Sequence, residues 1–278
     1  MPKVAVITGG AGGMGLATAK IVGADHVLVL CDIRQNRLDQ AHSALGKLGI
    51  DATTVNADVI DRAAVDAVLA TATGLGELTS VIHTAGVSPS MGSADYIIRT
   101  NALGTLNVAE AFLAAAPSGT ALVNVASMAG YLLPPQMIPA DVFGHATADP
   151  DTFLTELLSA CDSAPAEARS GLAYALSKAF VAWFSGAQCE RFTARGSRIC
   201  SISPGSVDTE MGRLEEQAGA GALVADAAVP RWGKAEEMAE LLAFCAGEKA
   251  GYLTGTDILN DGGVVASIRE RARVAAGG

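Results

Sequence analysis

Positive charge is scarce in this chain. Its 19 Lys and Arg face 29 Asp and Glu, a formal net charge of −10. That balance excludes a protein that follows nucleic-acid phosphates. Long apolar runs are missing too. None reaches the roughly 18 residues of a membrane span. Met1-Pro2-Lys3 leads directly into the first apolar stretch, so no leader peptide is expected. Metal-ligand spacing is also absent. The five cysteines (Cys31, Cys161, Cys189, Cys200, Cys245) are odd in number and form no metal-spaced pair, and His26, His42, His83 and His145 are scattered. The expectation is a cytoplasmic protein with buried, reduced thiols, no metal site and no membrane contact. There is no internal repeat.

What is present is apolar sequence organised around glycine. Half of the 278 residues are hydrophobic, enough for the core of one α/β domain. The run Val4-Ala5-Val6-Ile7 reads as a strand and Leu16 to Val22 as the start of a helix. Between them lies Thr8-Gly9-Gly10-Ala11-Gly12-Gly13-Met14-Gly15. Strand, glycine turn and helix form the context of a phosphate-binding loop. Without a Cβ, Gly9, Gly13 and Gly15 let the backbone turn sharply and approach a pyrophosphate, which the helix N-terminus then attracts. The next strand, His26 to Cys31, ends at Asp32. An acid there can accept hydrogen bonds from the adenosine ribose of NAD and repels the extra phosphate of NADP. Arg34, two residues on, softens that preference.

Strands and helices then alternate. A helix is expected over 36–48, a strand over 52–56 followed by Asp58-Val59, and a helix from an Asp61 cap to Thr73. A buried strand over 78–83 leads into Thr84-Ala85-Gly86. A long helix over 94–115 contains Asn101, an unfavourable residue inside a helix. A strand over 121–126 has Ser127 at its carboxyl end. Tyr174 and Lys178 stand four apart, on one face of a helix running to about Arg195. Strands over 198–203 and 256–260 flank a helix over 234–246. This alternation predicts an α/β fold: a single-domain, Rossmann-type, doubly wound parallel sheet with helices on both faces. Ligands should sit beyond the carboxyl ends of its strands.

From Val4 to about Gly263 the sequence resembles the short-chain dehydrogenase/reductase family. The pieces are Thr8-Gly9-x-x-x-Gly13-x-Gly15, Asp58-Val59, Ala85-Gly86, Asn101, Ser127, Tyr174-x-x-x-Lys178, Pro204-Gly205 with Thr209, and Arg231-x-Gly233, all in the family's order. The resemblance implies Tyr174 as general acid/base and Ser127 as holder of the substrate oxygen. It implies Lys178 on the nicotinamide ribose, lowering the tyrosine pKa, and Asn101 anchoring a water that leads protons to Lys178. The implied cofactor set is Gly9, Gly12, Gly13, Met14, Gly15, Asp32, Ile33, Arg34, Asp58, Val59, Thr84, Ala85, Gly86, Asn101, Tyr174, Lys178, Pro204, Gly205, Val207 and Thr209, with Thr209 at the carboxamide. A tyrosine titrates near ~10, so bringing it to neutrality takes roughly 4 kcal/mol. One ammonium at ~4 Å in an effective dielectric of ~20 supplies about that much.

The sequence also departs from the family. Ser127 and Tyr174 are usually much closer; here 46 residues lie between them. The inserted segment, 131–170, contains Asp149-Pro150, a helix start, followed by Phe153, Leu154, Leu157 and Leu158 at helical spacing. With the short segment between Gly86 and Asn101, it resembles the bacterial 3α-hydroxysteroid dehydrogenase/carbonyl reductase branch, in which the insertion blocks the usual four-helix subunit interface. A homo-oligomer, dimer or tetramer, is expected, paired through the 234–246 helix and the last strand. His83-Thr84 replaces the family's two asparagines; His83 reads as a structural hydrogen-bonder before a proton-handling group. Three segments should wall the substrate pocket: 87–91, the start of the insertion, and a Gly/Ala-rich lid within 205–230. Met91, Leu132, Leu133, Met137, Met211, Leu214 and Leu223 make it apolar, fitting a secondary alcohol or ketone such as a hydroxysteroid. The leading reading is therefore an NAD-dependent oxidoreductase. An NADPH-dependent carbonyl reductase and a non-catalytic dinucleotide sensor are the alternatives. Residues 264–278 form a tail without a readable role.

Overall fold

Seven apolar segments pair edge to edge in one parallel sheet: β1 (Lys3–Thr8), β2 (Val27–Asp32), β3 (Ala52–Asn56), β4 (Glu77–His83), β5 (Ala121–Val125), β6 (Arg198–Pro204) and, after two short strands, β9 (Asp257–Asn260). Their order is β3-β2-β1-β4-β5-β6-β9. The two short strands, β7 (Val207–Asp208) and β8 (Gly233–Lys234), pair with each other. The computed structural model describes residues 1–277 and, within them, every side chain except those at 219, 220 and 277. The side chains at Gly219 and Ala220 of the expected lid, and the whole of Gly278 of the tail, thus lie outside what is described. Among the described residues no helix is long and apolar enough to cross a membrane.

The strands are apolar on both faces because both faces are covered. On one side α1 (Gly13–Val22), α2 (Gln35–Gly46) and α12 (Ala235–Ala246) pack over Ile7, Leu28, Leu30 and Val123. On the other, α3 (Arg62–Leu75), α5 (Gly104–Ala115) and α8 (Arg169–Ala187) pack over Val6, Val29, Val81 and Leu122. Strand order reverses at β1, whose neighbours are β2 and β4. A crevice opens beyond the carboxyl ends of strands at such a switch point. The five cysteines are all free thiols, and only Cys189 is not buried.

The expected 94–115 helix is not continuous. It runs as α4 (Ala94–Ile98), a π-turn over Arg99–Leu103, and α5. The π-turn carries Asn101 with its side chain turned inward, while the Thr105 hydroxyl donates to the Asn101 carbonyl at 2.7 Å. Such turns re-aim one residue inside a helix. The helix bearing Tyr174 also stops early, at Gln188, and resumes as α9 (Cys189–Thr193). The turn lets Phe192 stack on Phe112 at 5.4 Å and Arg191 pair with Glu110.

The insertion is folded. It contains α6 (Ala140–Gly144) and α7 (Pro150–Cys161). Asp149 caps α7, its carboxylate accepting from the Thr152 amide at 3.1 Å, with Pro150 at the first helical position. Phe143 and Phe153 close on Phe180 of α8, with ring centroids 5.4 and 4.6 Å away, and all three are fully buried. Between β7 and β8 run α10 (Glu210–Glu215) and α11 (Ala222–Asp226), and the tail forms α13 (Val264–Gly277). Phe180 ties the insertion to the core, so Phe180→Ala should cost about 3–5 kcal/mol of unfolding free energy. Urea denaturation followed by far-UV circular dichroism measures this.

Candidate active site

The glycine turn is shaped by contacts that a side chain would prevent. Gly9 has φ +62°, and a Cβ there would lie 2.7 Å from the Ala85 amide nitrogen. At Gly13 a Cβ would lie 2.6 Å from the Thr209 methyl. The first bond of α1 runs from the Leu16 amide to the Gly12 carbonyl at 2.8 Å. The amides of Gly13, Met14 and Gly15 therefore face the crevice, as the first turn of a helix leaves them. A groove of about 940 Å³ extends from here past Asp32, Ile33 and Arg34, Asp58 and Val59, and Thr84 to Gly86. Length, glycine cradle and open amides fit a dinucleotide. Gly205 and Val207 instead line a separate cavity of about 270 Å³ beside Arg231 and Asp261, and Pro204 is buried at the end of β6.

The four residues of the expected catalytic set converge on the carboxyl end of β5. Lys178 is buried and donates to the Val125 carbonyl at 2.8 Å. Its ammonium lies 5.9 Å from the Tyr174 ring. Asn101 and Lys178 flank Gly86: a Cβ there would sit 3.1 Å from Asn101 Oδ1 and 3.3 Å from Lys178 Nζ. Asn101 grips the chain after Gly86, accepting from the Val87 amide at 2.9 Å and donating to its carbonyl at 3.0 Å. A third bond runs to the Ser177 hydroxyl at 3.1 Å. Ser127 accepts from the Ala129 amide at 3.2 Å, and its hydroxyl is near enough to Tyr174 to favour the ionised phenol.

The electrostatics differ from the sequence-based expectation. Burial holds the Tyr174 pKa above its ordinary value, the Ser127 hydroxyl opposes this, and the carboxylate of Glu215 pushes it further up. Burial also brings the Lys178 pKa down, to about 8. The simple arithmetic of one ammonium beside one phenol omits both desolvation and Glu215. His83 is neutral: burial first, then the Lys178 charge, brings it down to about 3. Its Nδ1 shares a 2.7 Å hydrogen bond with Thr8, bracing β1 against β4. Among the described residues no group of His, Cys, Asp and Glu stands close enough to hold a metal.

Several contributors escaped the sequence reading. Asn107 donates to the Val59 and Ile60 carbonyls, both at 2.9 Å, and so supports the loop beyond Asp58. Its position six residues after Asn101, again a polar side chain inside an apolar helix, is an available signal. Arg37 lines the groove and pairs with Glu210 at the start of α10. Glu215, at the other end of α10, accepts from the Ser90 amide at 3.0 Å. Thr209 caps α10, accepting from the Gly212 amide at 3.1 Å.

The buried ammonium predicts a pH effect on stability. With a folded pKa near 8 against an ordinary 10.5, Lys178 is penalised below pH 8. The unfolded chain binds the extra proton between those values, so this group makes stability rise with pH across that window. Lys178→Met should therefore raise the unfolding free energy at pH 7 by about 1–3 kcal/mol. The gain should shrink as pH climbs through 8 to 10.5, read by urea unfolding of the cofactor-free protein at each pH.

Comparison with known proteins agrees with this architecture. The family described as short chain dehydrogenase matches residues 3–139, and that described as enoyl-(acyl carrier protein) reductase matches 157–265. The short-chain dehydrogenase/reductase bsc3 of Alternaria brassicicola is 32% identical, over 96% of this chain and 97% of its own. The 3-oxoacyl-[acyl-carrier-protein] reductase FabG of Thermotoga maritima is 27% identical, over 95% and 98%. Among solved structures, a short-chain dehydrogenase from Burkholderia cenocepacia in complex with NADP superposes with a TM-score of 0.74 at 24% identity, covering 94% of this chain and 97% of that one. That last likeness speaks for the fold alone. With its parallel sheet, glycine cradle and full-length relatives, the chain is a member of the short-chain dehydrogenase/reductase family and an oxidoreductase.

Proposed function

We propose that the protein is an NAD-dependent oxidoreductase of the cytoplasm that interconverts an apolar secondary alcohol and its ketone. The convergence of Ser127, Tyr174, Lys178 and Asn101 at the mouth of the dinucleotide groove carries this reading. When bound, the nicotinamide supplies or accepts the hydride. Ser127 holds the substrate oxygen, and Tyr174 takes its proton in oxidation or returns it in reduction. Lys178 is placed to meet the nicotinamide ribose, and Asn101 fixes the 86–87 backbone beside it. Because this chain's own groups raise the Tyr174 pKa, oxidation is favoured at alkaline pH.

The substrate class follows from exposed apolar side chains. Met91 and Leu214 are exposed and line the groove; Leu132, Met137 and Val229, in the other expected wall segments, are exposed too. Exposed apolar side chains along a groove favour an apolar ligand there. The insertion before Tyr174 supports membership of the hydroxysteroid-type branch, and α11 with its surroundings serves as the substrate lid within 205–230. For the subunit contact we propose a homodimer through α12 and the edge strand β9, where Phe244 and Tyr252 are exposed. α6 and α7 cover the α8 face, leaving it less room for a second copy.

NADPH-dependent carbonyl reduction is the second reading. Arg34 and Arg37 both line the groove near Asp32, where they could meet an extra phosphate. NAD is favoured because Glu210 already pairs with Arg37, leaving the Asp32 carboxylate to face the adenosine ribose.

Turnover of cyclohexanol and of a panel of hydroxysteroids with NAD, with NADP in parallel, tests this reading. Tyr174→Phe should lower kcat/KM by about 10²–10⁴ while NADH binding persists. Turnover mainly with NADP would sink the Asp32 argument, and tight NADH binding without any turnover would favour a sensor. Glu215→Gln removes the carboxylate charge that raises the phenol pKa. The ascending limb of the oxidation pH profile should then move to lower pH with the KM for NAD unchanged.

A further inference from the structure

The chain beyond β9 turns back sharply. Gly262 and Gly263 have φ +64° and +83°, and Asp261 caps the helix that follows, accepting from the Gly263 and Val265 amides at 2.8 Å each. The turn is joined to the end of the lid segment: the Val229 amide donates to the Gly262 carbonyl at 2.9 Å. A Cβ on Gly263 would lie 2.9 Å from the Ala228 methyl. α13 therefore begins in contact with the segment that follows α11.

Two flanks of α13 then do different things. On one, Arg269 donates to the Tyr131 carbonyl at 3.3 Å and lies 5.8 Å from the Tyr131 ring. Tyr131 is itself anchored, its hydroxyl donating to Asp257 on β9 at 2.7 Å. Asp257 in turn accepts from Ser201 on β6 at 2.6 Å. This flank is tied to the sheet. On the other, Arg271 pairs with Asp226 of α11 at 2.7 Å. Between the flanks Val264, Val265 and Ile268 pack with Leu223 and Ala227 of the lid and with Met128, the residue after Ser127.

We infer that α13 is the fixed jaw against which the substrate lid closes: Arg269 holds it to the sheet through Tyr131, and Arg271 and Ile268 hold α11 against it. Arg271 and Ile268 are then positioning residues that set substrate affinity without touching the reacting atoms. The inference rests on reading 205–230 as the substrate lid. The ion pair is exposed, and exposed pairs are weak. The apolar cluster carries most of the closure, and the pair biases it.

The test is a charge swap in the full-length protein. Arg271→Asp and Asp226→Arg should each raise the KM for cyclohexanol about two- to fivefold, with kcat and the KM for NAD unchanged. The Arg271→Asp/Asp226→Arg double variant should restore the parent value. Ile268→Ala should raise KM further. Amide hydrogen exchange over residues 222–229 provides a readout that needs no substrate: faster exchange in each single variant, recovered in the double. Unchanged exchange in the single variants, or no recovery on swapping, overturns the inference even if the enzyme is active. Faster, recovered exchange in a protein without turnover would uphold the jaw and count against the oxidoreductase reading alone. Parallel loss of kcat, cofactor affinity and Tm would mean general damage and would also overturn it.

Discussion

The centre of the structure is a buried ammonium that, among the described residues, has no carboxylate paired with it. Lys178 has one hydrogen bond, to the Val125 carbonyl, and its burial costs the folded protein free energy. Its surroundings are arranged to keep it there. Gly86 leaves room for the ammonium from one side. At Gly130 a Cβ would come within 2.7 Å of the Ala179 amide, so α8 can press against the turn after Ser127. The π-turn aims Asn101 at Val87 and Ser177, which fixes the backbone next to Gly86. These close approaches join β5, α8 and the 86–87 segment around one charge. A destabilising group retained amid such packing is characteristic of a working site rather than of a core.

Much of this was readable from sequence because the signals are local. Strand, glycine turn and helix are contiguous, Asp149-Pro150 starts a helix by short-range chemistry, and Tyr174 and Lys178 share a face by spacing. The π-turn was not readable. One extra residue in a single turn barely alters an apolar pattern in which both faces of the segment are buried, so 94–115 reads as one helix. The stop at Gln188 was hidden similarly, since Phe192 finds Phe112 only after the sheet has formed.

The remaining omissions share a cause. Arg37 and Glu210 lie 173 residues apart, Ser90 and Glu215 125, and Tyr131 and Arg269 138. No spacing rule reaches across such intervals. The upward pull on the Tyr174 pKa is hidden in the sequence for a related reason: the lysine is visible four residues away, whereas the burying walls and Glu215 arrive from distant parts of the chain.

Those long-range contacts make α10 more than a connector. Its cap, Thr209, rests against Gly13 of the phosphate turn, and its first residue, Glu210, pairs with Arg37 in the groove. Its last residue, Glu215, reaches Ser90 beside the substrate pocket and acts electrostatically on Tyr174. Six residues thus reach from the phosphate turn to the neighbourhood of Tyr174. One short helix joins the phosphate turn, the groove and the surroundings of Tyr174.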